Sequence, residues 1–161
     1  MKSEIPPRIV HRSEDYSEGP FRPHGRIEIW IEDEPGGALI YSVAEGPFNP
    51  EFIKAFELAR NDLVRSREVS KVLGHITQMH TSVMASPDTL EGLHNYLANV
   101  RKHGLASGIV AWVVAPDVEG RDLMLPMFER VHTDNGLAFK AFLTLPEAQA
   151  WVRSLLAAPS P

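Results

Sequence analysis

Seven histidines, His11, His24, His75, His80, His94, His103 and His132, are the side chains of this sequence best suited to move a proton or hold a metal. His75 and His80 fall at and just after the end of a β-branched run, Val69 to Thr77. The end of a parallel strand is where α/β folds place ligands. Glu45, closing an earlier apolar run, and Asp117, following a later one, would join them in one crevice at an edge of the sheet. A metal needs three such ligands converging. The sequence has no H-E-x-x-H and no other recognised ligand spacing, so no metal is expected. Hydroxyls crowd the neighbouring stretch Gln78-Met-His80-Thr81-Ser82-Val-Met-Ala-Ser86-Pro87-Asp88. His80 beside Thr81 and Ser82 supplies the types of a base and a nucleophile. Adjacent residues on one loop rarely reach attack geometry, however, and no orienting acid is fixed. Ser86 before Pro87 and Asp88 reads more simply as a helix cap.

Other chemistry is excluded by what is missing. There is no cysteine, which removes disulfides, thiolate nucleophiles, zinc-cysteine sites and iron-sulfur clusters together. Neither a G-x-S-x-G elbow nor a phosphate-cradling glycine loop occurs, so no catalytic residue and no cofactor is assigned. Sixteen basic against twenty-one acidic residues give a net charge of −5, which argues against a nucleic-acid partner. No apolar run is long enough for a leader or a membrane span, and a soluble cytoplasmic protein is expected. Met79, Met84, Met124 and Met127, with Trp112 and Phe128, have the character of an adaptable apolar pocket near His75 and His80. They equally suit core filler beneath two helices.

The elements that must position these residues begin at residue 26. Arg26 to Glu32 alternates, with Ile27, Ile29 and Ile31 on one face and Glu28, Trp30 and Glu32 on the other. Pro35-Gly36-Gly37 turns the chain into Ala38 to Val43, giving an antiparallel hairpin. Asn49-Pro50-Glu51 starts a helix whose stripe is Phe52, Phe56, Ala59 and Leu63. A second helix opens at Ser86, carries Leu90, Leu93, Leu97 and Val100 inward, and stops at Gly104, with His103 at its C-terminal dipole. Gly108 to Ala115 is apolar throughout, as a strand covered on both faces should be. A third helix, from Asp117 to His132 and kinked or started by Pro126, carries Leu123, Met127 and Val131 inward. A short strand, Leu137 to Phe142, leads into a capping box at Thr144 to Glu147 and a closing helix.

The order β-β-α-β-α-β-α-β-α predicts an α/β fold: a mixed, mostly parallel sheet with an N-terminal β-hairpin and helices packed on it. Residues 26–157 form the single domain, 158–161 a tail, and 1–25 an extended, Pro-rich segment without a core of its own. Ile5, Ile9, Val10, Tyr16 and Phe21 are its candidates for docking, on the domain or on a neighbouring subunit. The strand from Arg26 heads the sheet, and an edge there needs covering or invites a partner.

The strand Ile109 to Val114 and the run Phe139-Lys-Ala-Phe142-Leu-Thr144-Leu-Pro-Glu147-Ala148-Gln-Ala-Trp151 resemble the bacterial SpoIIAA-like family, which shares the STAS-domain fold. The resemblance spans residues 26 to 157 in element order, and its distinctive part is the last twenty residues or so. It implies a non-catalytic regulatory module acting through protein contacts, or a carrier of a lipid-like ligand. In that family a phosphorylated serine opens the helix after the third strand in an Asp-Ser-Ser-Gly sequence, which is absent here. Thr81, Ser82 and Ser86 stand in its place as a possible phosphoswitch or anion site.

The expectations are therefore a non-enzymatic binding module with a protein partner and a homodimer; alternatively, a carrier of a small apolar or amphipathic ligand in a pocket among His75, His80, Met79, Met84, Trp112 and Met127; and, third, an enzyme with its site around His75, His80 and Asp117.

Overall fold

The computed structural model describes residues 9–103 and 108–158. Six strands form one sheet in chain order: β1 (His11–Arg12), β2 (Arg26–Glu34), β3 (Gly37–Glu45), β4 (Val72–His80), β5 (Ile109–Val114) and β6 (Ala138–Phe142). The pairs β1-β2 and β2-β3 are antiparallel, and the later pairs are parallel. Four helices alternate with the strands: α1 (Pro50–Ser66), α2 (Pro87–Lys102), α3 (Arg121–Asp134) and α4 (Leu145–Ala157). The chain is thus an α/β protein with a mixed, mostly parallel sheet opened by a hairpin. From β2 onward its elements follow the expected order.

Sequential strand order decides the layering. Parallel crossovers of one hand that always step the same way leave their helices on the same face of the sheet. α1, α2 and α3 accordingly share one face with Ile27, Ile29, Ile40, Met79, Val110, Trp112 and Phe139. The opposite face, with Trp30, Leu39, Tyr41, Ile76 and Ala111, is covered by α4 through Ala148, Trp151 and Val152. Trp30 is therefore buried rather than turned to solvent with Glu28. Its ring stacks beside Tyr41 at 6.0 Å, and its Nε1 donates to Glu32.

The helix ends follow the capping logic. Asn49 Oδ1 accepts from Phe52 N at 3.0 Å, Ser86 Oγ from Thr89 N at 3.2 Å, and the Glu147 carboxylate from Thr144 N at 3.1 Å. The third helix departs from expectation. It starts at Arg121, after Gly120 at φ 77°, and turns Met124, Phe128 and His132 inward. Leu123 and Met127 are 59 % and 43 % exposed. The inward row is displaced by one residue because the space over Trp112 is filled by flat rings: Phe128 at 4.6 Å, and His132 stacked at 4.6 Å on Phe139. Pro126 lies inside the helix on its exposed side. The expected stop of α2 at Gly104 lies outside the described residues; His103 caps the helix, its Nδ1 2.9 Å from Asn99 O.

The N-terminal segment docks on its own subunit. β1 adds two residues to the edge of β2, and the Ser13–Tyr16 turn packs on α1. Ser13 Oγ, fully buried, accepts from Ile27 N at 3.0 Å. Tyr16 Oη donates to Asp62 Oδ2 at 2.6 Å, and His11 Nδ1 lies 2.8 Å from that hydroxyl and 3.4 Å from the same carboxylate oxygen. Burial and this bond push the Tyr16 hydroxyl up to about 12, and the same bond, with Arg65, holds the Asp62 carboxyl below its ordinary value. Val10 packs on the α4 side of the sheet, while Ile9 and Phe21 are exposed. Ile5 lies outside the described residues.

Candidate functional site

A cavity of about 100 Å³ lies between the sheet and the layer formed by α1, α2 and α3. Its walls are mainly apolar and aromatic, with Phe52 and Phe56 from α1, Leu93 and Leu97 from α2, Val110 and Trp112 from β5, and Phe128 from α3. Alternation along β4 turns His75, Thr77 and Met79 toward it and sends Ile76 to the opposite face. Helical spacing brings Arg60 four residues after Phe56, Tyr96 three after Leu93, and His132 four after Phe128. Because the helices run antiparallel to the strands, His132 and Arg60, in the C-terminal halves of α3 and α1, lie over the N-terminal half of the sheet, with Tyr96 on α2 between them in chain order.

Six polar side chains enter this apolar surface, and their partners differ. Thr77 Oγ1 accepts from Ser42 Oγ at 2.8 Å, and Thr89 Oγ1 donates to Phe48 O at 3.3 Å. Arg60 is 4 % exposed, and its Nε donates to His75 Nε2 at 3.3 Å. That contact makes Nε2 an acceptor and puts the ring proton of neutral His75 on Nδ1. Burial, then the Arg60 guanidinium, then His132, push the His75 pKa well below its ordinary value. His132 is 4 % exposed and has Nδ1 2.7 Å from Phe128 O. A carbonyl only accepts, so Nδ1 carries the proton and Nε2 a bare lone pair. Burial lowers the His132 pKa to about 4, so both rings are neutral at pH 7. Tyr96 is 7 % exposed, packs edge-on against Phe56, and is pushed up to about 12 by burial.

Among the described residues, Tyr96 Oη and His132 Nε2 have no hydrogen-bond partner, yet neither is an orphan sealed from all access. Both residues line the cavity.

His75, Met79 and Trp112 line the cavity, whereas His80, Met84 and Met127 do not. His75 and His80 both lie within β4, five residues apart and so on opposite faces; His80 is exposed at the strand end beside Glu45. Glu45 bonds Arg26 at 2.6 Å, and Asp117 is exposed. These groups do not converge, and among the described residues no set of three His, Asp or Glu side chains is placed to hold a metal. Met84 packs against Gly120. Ser82 is 1 % exposed, with Oγ accepting from Met84 N; Ser86 caps α2; and Thr81 is exposed with φ 64°. The sequence does not single out Arg60 or Tyr96, and His132, one of the seven histidines, is not assigned to the pocket, although each keeps the period of its helix's apolar stripe.

Among the described residues, no helix is long and apolar enough to cross a membrane. No family model and no curated protein matches this chain.

Proposed function

We propose that this chain is a binding module for a small, mainly apolar ligand, held in the cavity between the sheet and α1 to α3. The observation that carries this reading is an aromatic-walled space lined by two buried residues, Tyr96 and His132, whose Oη and Nε2 have no hydrogen-bond partner among the described residues. The volume sets the size of the ligand. A cavity of roughly 150 Å³ takes up benzene, so about 100 Å³ suits a single small ring or a short branched chain rather than a long lipid tail. The reading keeps the ligand-carrier alternative and narrows the ligand from lipid-like to ring-sized. Titration with benzene, followed by methyl NMR, tests it. Saturable shifts confined to Met79, Leu93, Leu97 and Val110 are expected, with a rise in Tm. Shifts absent at benzene saturation, or scattered over the surface, would overturn it.

A second reading, self-association, is favoured by the opposite edge of the sheet. Among the described residues, β6 has no partner on its outer side, and α3, which packs on it, exposes Leu123 and Met127. A second copy is the proposed occupant of this edge. Sedimentation should show a dimer that Leu123→Glu with Met127→Glu converts to monomer; a monomeric parent chain sinks this reading.

A further inference from the structure

Resting on the proposed cavity, we infer that its ligand is an uncharged ring compound bearing a hydroxyl group, of the phenol class, recognised through its O–H by His132. The lone pair on His132 Nε2 is the decisive group, because Nδ1 is committed to Phe128 O at 2.7 Å and cannot exchange roles with it. The ring itself is fixed on both sides, stacked on Phe139 and edge-on to Trp112 at 5.8 Å. A fixed acceptor in an apolar wall selects for a ligand that donates a hydrogen bond. At that atom a carboxylate, which offers lone pairs only, finds no donor, and the Nε of Arg60, the cation on the same wall, is already given to His75. Tyr96 Oη, which both donates and accepts, is the second polar group such a ligand meets. The aromatic wall of Phe52, Phe56, Trp112 and Phe128 matches the ring in chemistry, and the cavity volume limits the ligand to about one ring.

The comparison of benzene, phenol and benzoate on the full chain at pH 7 tests this. An all-apolar cavity prefers benzene, because phenol loses its hydrogen bonds to water on entering. Here phenol is expected to bind about tenfold more tightly than benzene, the equivalent of one good hydrogen bond, and benzoate not to bind. His132→Phe keeps a flat ring against Trp112 and Phe139 but removes the acceptor, and should reverse the order so that benzene binds more tightly than phenol. Benzene tighter than phenol in the parent chain, tight benzoate binding, or a phenol preference that survives His132→Phe overturns the inference while leaving the cavity a ligand site. Binding of none of the three overturns the inference and the proposed function together. Should His132→Phe not fold, the order measured on the parent chain decides alone.

Discussion

A histidine that gives its only proton to a carbonyl of its own helix becomes, on its free side, a pure acceptor. His132 does so inside the core, and its burial has a consequence for stability that can be signed. In the unfolded chain it binds a proton near pH 6.5, whereas in the folded chain it does so only near pH 4. Between those values the unfolded state holds the extra proton, so stability is complete above pH 6.5 and falls as the solution is acidified. His75, shifted in the same direction, adds to the loss. Each depressed histidine contributes up to about 1.4 kcal/mol per pH unit in this window. Urea denaturation at pH 5.0, 6.0 and 7.0 should show the decline, and His132→Phe should flatten it by about that amount per unit. An unchanged slope would contradict the burial of a neutral ring. The site was half legible in the sequence for a related reason. His75 and Trp112 lie on strands, where a polar residue in an apolar run stands out. Arg60, Tyr96 and His132 lie on helices, where one polar residue within an amphipathic stripe reads as an imperfection of the pattern. The spacing of His132 from Phe128 was available, but nothing in a spacing says that a histidine will be neutral.

The elements were read more faithfully than the site, because their signals are local. Asn49, Ser86 and Thr144 with Glu147 form caps where their neighbours ask for them. The hairpin closes at the Pro35-Gly36-Gly37 turn, with Glu34 paired to Gly37 in register. The third helix was misread in phase because its inward face is set by a tertiary partner, the ring of Trp112, and not by its own hydrophobic count. The N-terminal segment was expected to dock, on the domain or on a neighbouring subunit, and Val10 and Tyr16 pack on the domain. With no periodicity it offers no element to a pattern search, yet it contributes a buried hydroxyl, Ser13 Oγ, to the backbone of β2. Ser13→Ala leaves Ile27 N without that acceptor in a buried place. It should cost about 1–3 kcal/mol, read as a lower urea midpoint at constant m-value. A midpoint equal to that of the parent would show that this segment does not bind the sheet as described.

At the scale of the whole molecule, the alternation of strands and helices was enough to predict an α/β sheet, since parallel neighbours need crossovers and short loops keep them adjacent. The position of α4 was not predictable in the same way. A helix after the last strand is not a crossover, and only the bare apolar face of Leu39, Tyr41, Ile76 and Ala111 draws it to the other side. One consequence concerns synthesis. The strands from β2 to β6 leave the ribosome in the order in which they pair, so the growing chain can add them one by one and cover the first face with each helix as it appears. The second face has no such escort: its aromatic and aliphatic side chains stay open to water, or to chaperones, until the thirteen residues of α4 emerge. A chain from which all but α4 has emerged would therefore hold a sheet whose strands are all present, with one greasy side uncovered.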